Sequence, residues 1–343
     1  MGWGDLWYAL LGLMLAAYVA LDGFDLGAGA VLGLVARGEK ERRLVIHSLG
    51  PVWDGNEVWL LAAGGVLVLA FPRVYAAAFA GFYLPLMLAL WLLVFRALSI
   101  ELHHQVEHTL WRPFWDLAFS LSSGLLAVVL GAALGNVVRG VDADADGRFF
   151  HALFTDLSGD PPLGILDWYT MLAGLCSLAA LGVHGSLWLN WKTTGPVQAR
   201  AARAARWLWP LALLIFAALS LATFHVQPLV PLALRIRPWG WALPLGALAA
   251  AGFSRWALGR GREGAAFAGS AAYLLGLLAS AAFGLYPALL PSAGIGPALT
   301  VANSASGDYA LRSALYWWLP GMALAAAYFV ILYRSLPPKF NED

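Results

Sequence analysis

Apolar residues run through this chain in long stretches, and polar positions gather in the short connections between them. Stretches long enough to cross a bilayer lie near 6–36, 50–71, 74–98, 114–138, 164–190, 207–226, 239–258, 265–290 and 314–333. The pattern predicts an all-α integral membrane protein of about nine transmembrane helices, forming a single polytopic membrane domain over residues 1–343. The first stretch exceeds the about 20 residues of a straight crossing, so it tilts or protrudes. Gly23, Gly27, Gly29 and Gly33 permit close helix contact on its later part. The first stretch also lacks a basic leader and is too long for a secretory signal, so it reads as a retained span.

The polar connections set the orientation. With the N-terminus outside, alternation assigns 15 of the 21 basic residues to inner segments, among them Arg37, Lys40, Arg42, Arg43 and Arg96. The positive-inside rule therefore favours an N-terminus outside and a C-terminus in the cytoplasm.

Four polar positions break the apolar pattern where it should be most regular. Asp22 and Asp25 lie in the first span, and Asp54 and Glu57 open the second. An ionisable side chain in the membrane costs about 2.5–3.5 kcal/mol on insertion scales. Each pair is spaced i, i+3, which puts both members on one helix face, and all four fall in the inner half of the membrane. The arrangement suits a proton or cation path, a ligand contact, or a partner subunit. For Asp54 the spacing to Glu57 also fits a capping box. Trp53 and Trp59 flank these acids, whereas Trp3, Trp7, Trp111, Trp115, Trp188, Trp191, Trp207, Trp209, Trp239, Trp241, Trp317 and Trp318 lie near span ends, as an interfacial belt does.

Composition narrows the field. The chain is 61% hydrophobic and 12% charged, against roughly 25% charged in soluble domains. A net charge of +1 gives no field that would draw nucleic acid. One cysteine, Cys176, supports neither a disulfide framework nor a thiolate metal site. His104 and His108 have zinc-like spacing but sit in a polar connection with His103, and read as solvated. His184 and His225 lie near predicted span ends and read as structural rather than as haem ligands. The string DADADG over 142–147 imitates an EF-hand start, but its twelfth position is Leu153, which leaves a solvated acidic loop. No metal site, catalytic residue or nucleotide motif is expected.

Several strings are specific enough to name a likeness. LDGFDLGAG (21–29), ERRLVIHSLGPVWDGNEVWLLAAGG (41–65), FPRVYAAAFAGFYLP (71–85), WD at 115–116, GN at 135–136 and YPALLPS at 286–292 together resemble subunit II of cytochrome bd-type quinol oxidase. The likeness runs in order along nearly the whole chain and is densest over 18–85. It implies a non-haem-ligating subunit of a bacterial cytoplasmic (inner) membrane oxidase that oxidises quinol and reduces dioxygen to water. Two haems b and one haem d would be ligated by subunit I, and membrane lipid and a small single-span subunit are further contacts that the family admits. The positions matching its cytoplasmic proton path are Asp25 and Asp54, with Asp22 and Glu57 beside them and Trp53 and Trp59 as lining aromatics. The runner-up is a free-standing proton-coupled secondary transporter. Such a protein should repeat its acids in both halves, whereas here they crowd into the first two spans.

Overall fold

The computed structural model describes every residue except 1, 104, 107, 160, 161, 342 and 343. Helices α1 (Trp3–Ala30), α2 (Leu32–Val35), α3 (Glu39–Leu49), α4 (Trp53–Ala70), α5 (Pro72–Gly81) and α6 (Tyr83–Leu102) form the first third. The helices α7 (Trp111–Arg139), α8 (Trp168–Lys192), α9 (Gly195–Val226), α10 (Leu229–Ile236), α11 (Ala242–Gly259) and α12 (Glu263–Leu285) follow. A two-stranded antiparallel ribbon, β1 (Ala288–Leu290) with β2 (Leu299–Thr300), then leads to α13 (Val301–Ser304) and α14 (Asp308–Ser335).

Among the described residues, seven helices are long and apolar enough to cross a membrane: α1, α6, α7, α8, α9, α12 and α14. An eighth span arises if α3 and α4, bent by 47° at their junction, count as one. The difference from the expected nine lies in α11. It forms over the predicted stretch as an 18-residue helix, but Pro244, Ser254 and Arg255 dilute its apolar run. The predicted third span is divided into α5 and α6, and the long first stretch breaks after Ala30.

Small residues bring the central helices together. α1 crosses α8 at Gly27 and Gly185, backbone on backbone, with no room for a Cβ on either. α7 meets α8 through Gly131 and Gly174 in the same manner. α12 packs Gly269 against Ser254 and Gly276 against Ala247 of α11. Such contacts replace the hydrophobic drive that lipid does not supply between helices.

The two ends of the bundle are tied differently. At the end rich in basic residues, Arg200 pairs with Glu41 at 2.5 Å, Lys339 with Glu263 at 2.8 Å, and Arg112 with Glu39. At the other end, Trp7 donates to the Leu311 carbonyl at 3.0 Å and Tyr286 to Asp5 at 2.9 Å. There Arg139 pairs with Asp167, which also caps α8 by accepting the N–H groups of Tyr169 and Thr170. The acidic loop of 142–147 is docked at this end. Asp144 accepts N–H bonds from Asp146 and Arg148 in the exposed turn, while Val141, Ala143 and Phe149 are buried.

Four tryptophans leave the interfacial belt expected of them. Trp7, Trp188, Trp209 and Trp115 are enclosed within the chain. Nearness to a span end fixes depth, but the helix face decides whether a ring meets lipid or a neighbouring helix.

Candidate functional site

The buried acids meet on α1, α4 and α6, around a cation that the sequence pattern had assigned to a connection. Arg96 of α6 is wholly enclosed. Its Nη1 donates to Asp22 Oδ1 at 2.6 Å and its Nη2 to Glu57 Oε1 at 2.7 Å. One turn along α1, Asp25 Oδ2 accepts from Asn56 Nδ2 at 2.8 Å, and Asn56 Oδ1 accepts from Tyr333 of α14 at 3.0 Å. Asp22 and Asp25 have no solvent exposure. The Tyr18 hydroxyl adjoins Asp22, and Asp25 Oδ1 is buried without a hydrogen-bond partner among the described residues. Two carboxyl groups thus share one guanidinium, and a third, Asp25, lies one turn away with an open oxygen.

Asp54 does not join this cluster. It lies in the first turn of α4 on an exposed face. The residue before the helix is Val52, no side chain caps it, and the capping-box reading of Asp54 with Glu57 fails because Glu57 turns inward to Arg96. Trp53 and Trp59 do not flank Asp54 on its own side. Trp53 is buried with Leu49 and Val52, and Trp59 packs against Phe329 of α14 with ring centroids 5.6 Å apart.

Reasoning from sequence missed Arg96, Asn56 and Tyr333. A signal for the first was present: a lone Arg inside LLVFRALSI must find a buried partner if the helix spans. The solvated reading of His103 is also corrected. It is buried at the end of α6, with Nε2 3.0 Å from Asp116 Oδ1, and Asp116 also accepts from Arg42 at 3.2 Å. His104 lies outside the described residues. His184 is not at a span end but well inside α8, fully buried. No group of three or more His, Cys, Asp or Glu side chains is placed to hold a metal ion among the described residues.

The family model for cytochrome bd terminal oxidase subunit II matches residues 3–336. The chain belongs to that family. The subunit is 30% identical to a probable cytochrome oxidase subunit 2 of Haemophilus influenzae, over 96% of this chain and 93% of the relative. It is 31% identical to the cytochrome bd ubiquinol oxidase subunit 2 of Bacillus subtilis, over 90% of this chain and 88% of that one. Its fold matches a chain of the bd oxidase from Geobacillus thermodenitrificans with a TM-score of 0.74 at 19% identity, covering 97% of this chain and 98% of that chain. The subunit is therefore part of an oxidoreductase complex that also contains subunit I and haem, and it lies in the bacterial cytoplasmic membrane.

The buried histidines described here have neighbours within the chain. Both ring nitrogens of His184 are engaged, Nδ1 with Ser270 Oγ at 2.7 Å and Nε2 with the Ala20 carbonyl at 2.9 Å. Its ring lies flat on Phe267, with centroids 4.5 Å apart. His103 faces Asp116, and His151 Nε2 accepts from the Asp142 N–H at 3.2 Å. His225 is exposed on the outer surface of α9.

Proposed function

We propose that the subunit carries protons from the cytoplasmic side toward an oxygen-reducing centre held by subunit I, and ligates no haem itself. One observation carries this reading: Asp22 and Glu57 both pair with the single guanidinium of Arg96, and a third, fully buried acid, Asp25, lies one turn along α1 where the neutral Asn56 amide donates to it. Full ionisation would leave two negative charges unmatched away from water, at a cost of several kcal/mol for each ion. Protons held by the cluster remove that cost, so the site is a place where protons reside and from which they can move.

The basic residues gathered where α4 begins support placing that end in the cytoplasm, with the N-terminus outside and the C-terminus inside. In that frame Asp54 is the exposed entry and Glu57 lies one turn further in. Asp22 and Asp25 are the enclosed carriers, and Trp53 and Trp59 wall α4. The two haems b, haem d and quinol oxidation belong to subunit I in this reading. Quinol as reductant is supported by the ubiquinol oxidase name of the Bacillus subtilis relative. A free-standing transporter is not favoured by the family match.

Oxygen consumption per haem in the purified complex tests the path. Asp25→Asn keeps size and one acceptor but cannot titrate. It should preserve haem content and lower turnover at least about tenfold, with partial recovery in Asp25→Glu. Asp54→Asn should cost less, because water reaches an exposed position without it. Full turnover in Asp25→Asn would sink the relay. Haem content falling in step with activity would assign the acids to assembly instead.

A further inference from the structure

A second cluster of charge lies at the basic end, apart from the α1–α4–α6 acids. A cavity of about 460 Å³ opens there between the start of α3 and the start of α7, lined by Arg37, Arg42, Arg112, His108, Glu39 and Asp116. Its size falls within the ~300–1,000 Å³ of small-molecule sites. Among the described lining residues three guanidiniums face two carboxylates, an excess of positive charge. Arg42 is held by Asp116 and Arg112 by Glu39, so both are fixed in place. The Arg112 Nε is buried without a partner among the described residues, and the exposed Arg37 side chain lines the cavity.

What adjoins the cavity is as informative as its lining. Leu110, Phe114, Leu117, Leu121 and Leu125 are all more than half exposed. Their spacing of three and four residues makes one continuous stripe along α7. Every exposed residue of α7 from Pro113 to Leu134 is apolar. The exposed face of α4, by contrast, includes Asp54. A wholly apolar face is one for acyl chains, and it leads directly to the arginines.

We propose that this cavity binds the headgroup of an anionic phospholipid whose acyl chains lie on the Leu110–Leu125 stripe. Guanidinium groups meet phosphate oxygens in a bidentate manner, and basic pockets at membrane-spanning helices recruit anionic headgroups. Free phosphate shares the headgroup chemistry but has no use for the stripe.

The test uses the purified oxidase complex in detergent. It is titrated with phosphatidylglycerol, phosphatidylcholine or inorganic phosphate and followed by native mass spectrometry. A second arm uses a phosphatidylglycerol with a photoactivatable acyl chain. Phosphatidylglycerol should bind in preference to phosphatidylcholine and should label peptides within 110–125. Arg37→Gln should weaken that binding about fivefold, the loss expected for one basic residue facing an anionic lipid, and Arg37→Lys should retain most of it. Equal affinity in wild type and Arg37→Gln would overturn the proposal. So would displacement of the labelled lipid by inorganic phosphate at comparable concentration, which would indicate a phosphate site only. Absence of label in 110–125, with a photo-crosslinker at position 37 reaching subunit I, would show that the partner covers the cavity and would overturn it as well.

Discussion

Among the described residues two arginines, Arg96 and Arg139, are buried, and they sit in opposite kinds of surroundings. Arg139 ends α7 and meets Asp167, whose carboxylate also receives two backbone N–H groups; the Asn136 side chain and the Gly164 carbonyl take further donors of the same guanidinium. One charge faces one charge, and the surrounding groups are backbone and amide. Arg96 lies mid-span and faces two acids directly, with a third one turn away. The first arrangement is balanced and joins two helix ends. The second carries more acid than base. A buried ion pair alone says little about function; the excess of titratable groups around it is what separates the two.

The comparison is most severely tested by removing each cation. Arg96→Met strands Asp22 and Glu57 and leaves Asp25 without a nearby cation, and should cost about 3–5 kcal/mol, read as a lower yield of haem-containing complex and a lower melting temperature. Arg139→Met should cost less, about 1–3 kcal/mol, because Asp167 keeps its backbone donors. Double variants sharpen the contrast. Arg139→Met with Asp167→Asn should recover most of the loss, since Asn also caps helices. Arg96→Met with Asp22→Asn should recover only part, because Glu57 and Asp25 remain. Equal recovery in both pairs would remove the distinction between the two sites.

Turnover provides a smaller but more specific contrast. Variants at Arg139 and Asp167 should leave oxygen consumption per haem unchanged in whatever complex assembles. Asp22→Asn should reduce it, though less than Asp25→Asn, because Glu57 keeps Arg96 engaged. A turnover defect of similar size at Asp167 would place that residue on the proton route as well.

The smallest expected effect is a pH response confined to the Arg139 end. Burial first, and the nearby Arg139 charge second, hold His151 down to about 4 from its ordinary 6.5. The folded loop therefore keeps a neutral ring where an opened loop would take a proton. Its contribution to stability is complete above about 6.5 and is lost as pH falls toward 4. Hydrogen exchange over 141–166 should accelerate across that window, and His151→Gln should flatten the response. An unchanged pH response in that variant would assign it elsewhere.

Much of the fold was legible because apolar length reports helices directly, and the acids of α1 and α4 stood out against it. What was not legible depended on direction around a helix. Asp54 and Glu57 are one turn apart, yet one turns to the exposed face and the other to Arg96. Arg96 falls close to the end of the 74–98 stretch and was counted with the inner basic residues, whereas its helix runs on to Leu102 and encloses it. Trp7 and Trp188 have the depth of belt residues but point inward. The pairing of Asp167 with Arg139 joins two helices across a loop, at a distance that spacing along the chain does not resolve.

The glycine crossing of α1 and α8 has a consequence for register. Gly27 is fixed against Gly185 by direct backbone contact, so the phase of α1 is set at that point. Asp25 and Asp22 lie two and five residues before it. A single residue inserted between Asp25 and Gly27 would turn both acids by about 100° and shift them by about 1.5 Å along the axis. The bundle would keep its helices and its composition, while the carboxyl groups faced away from Arg96 and Asn56. The crossing thus serves as the zero mark from which the angular position of the acids is measured, and chain length in this short interval is as tightly constrained as the acids themselves.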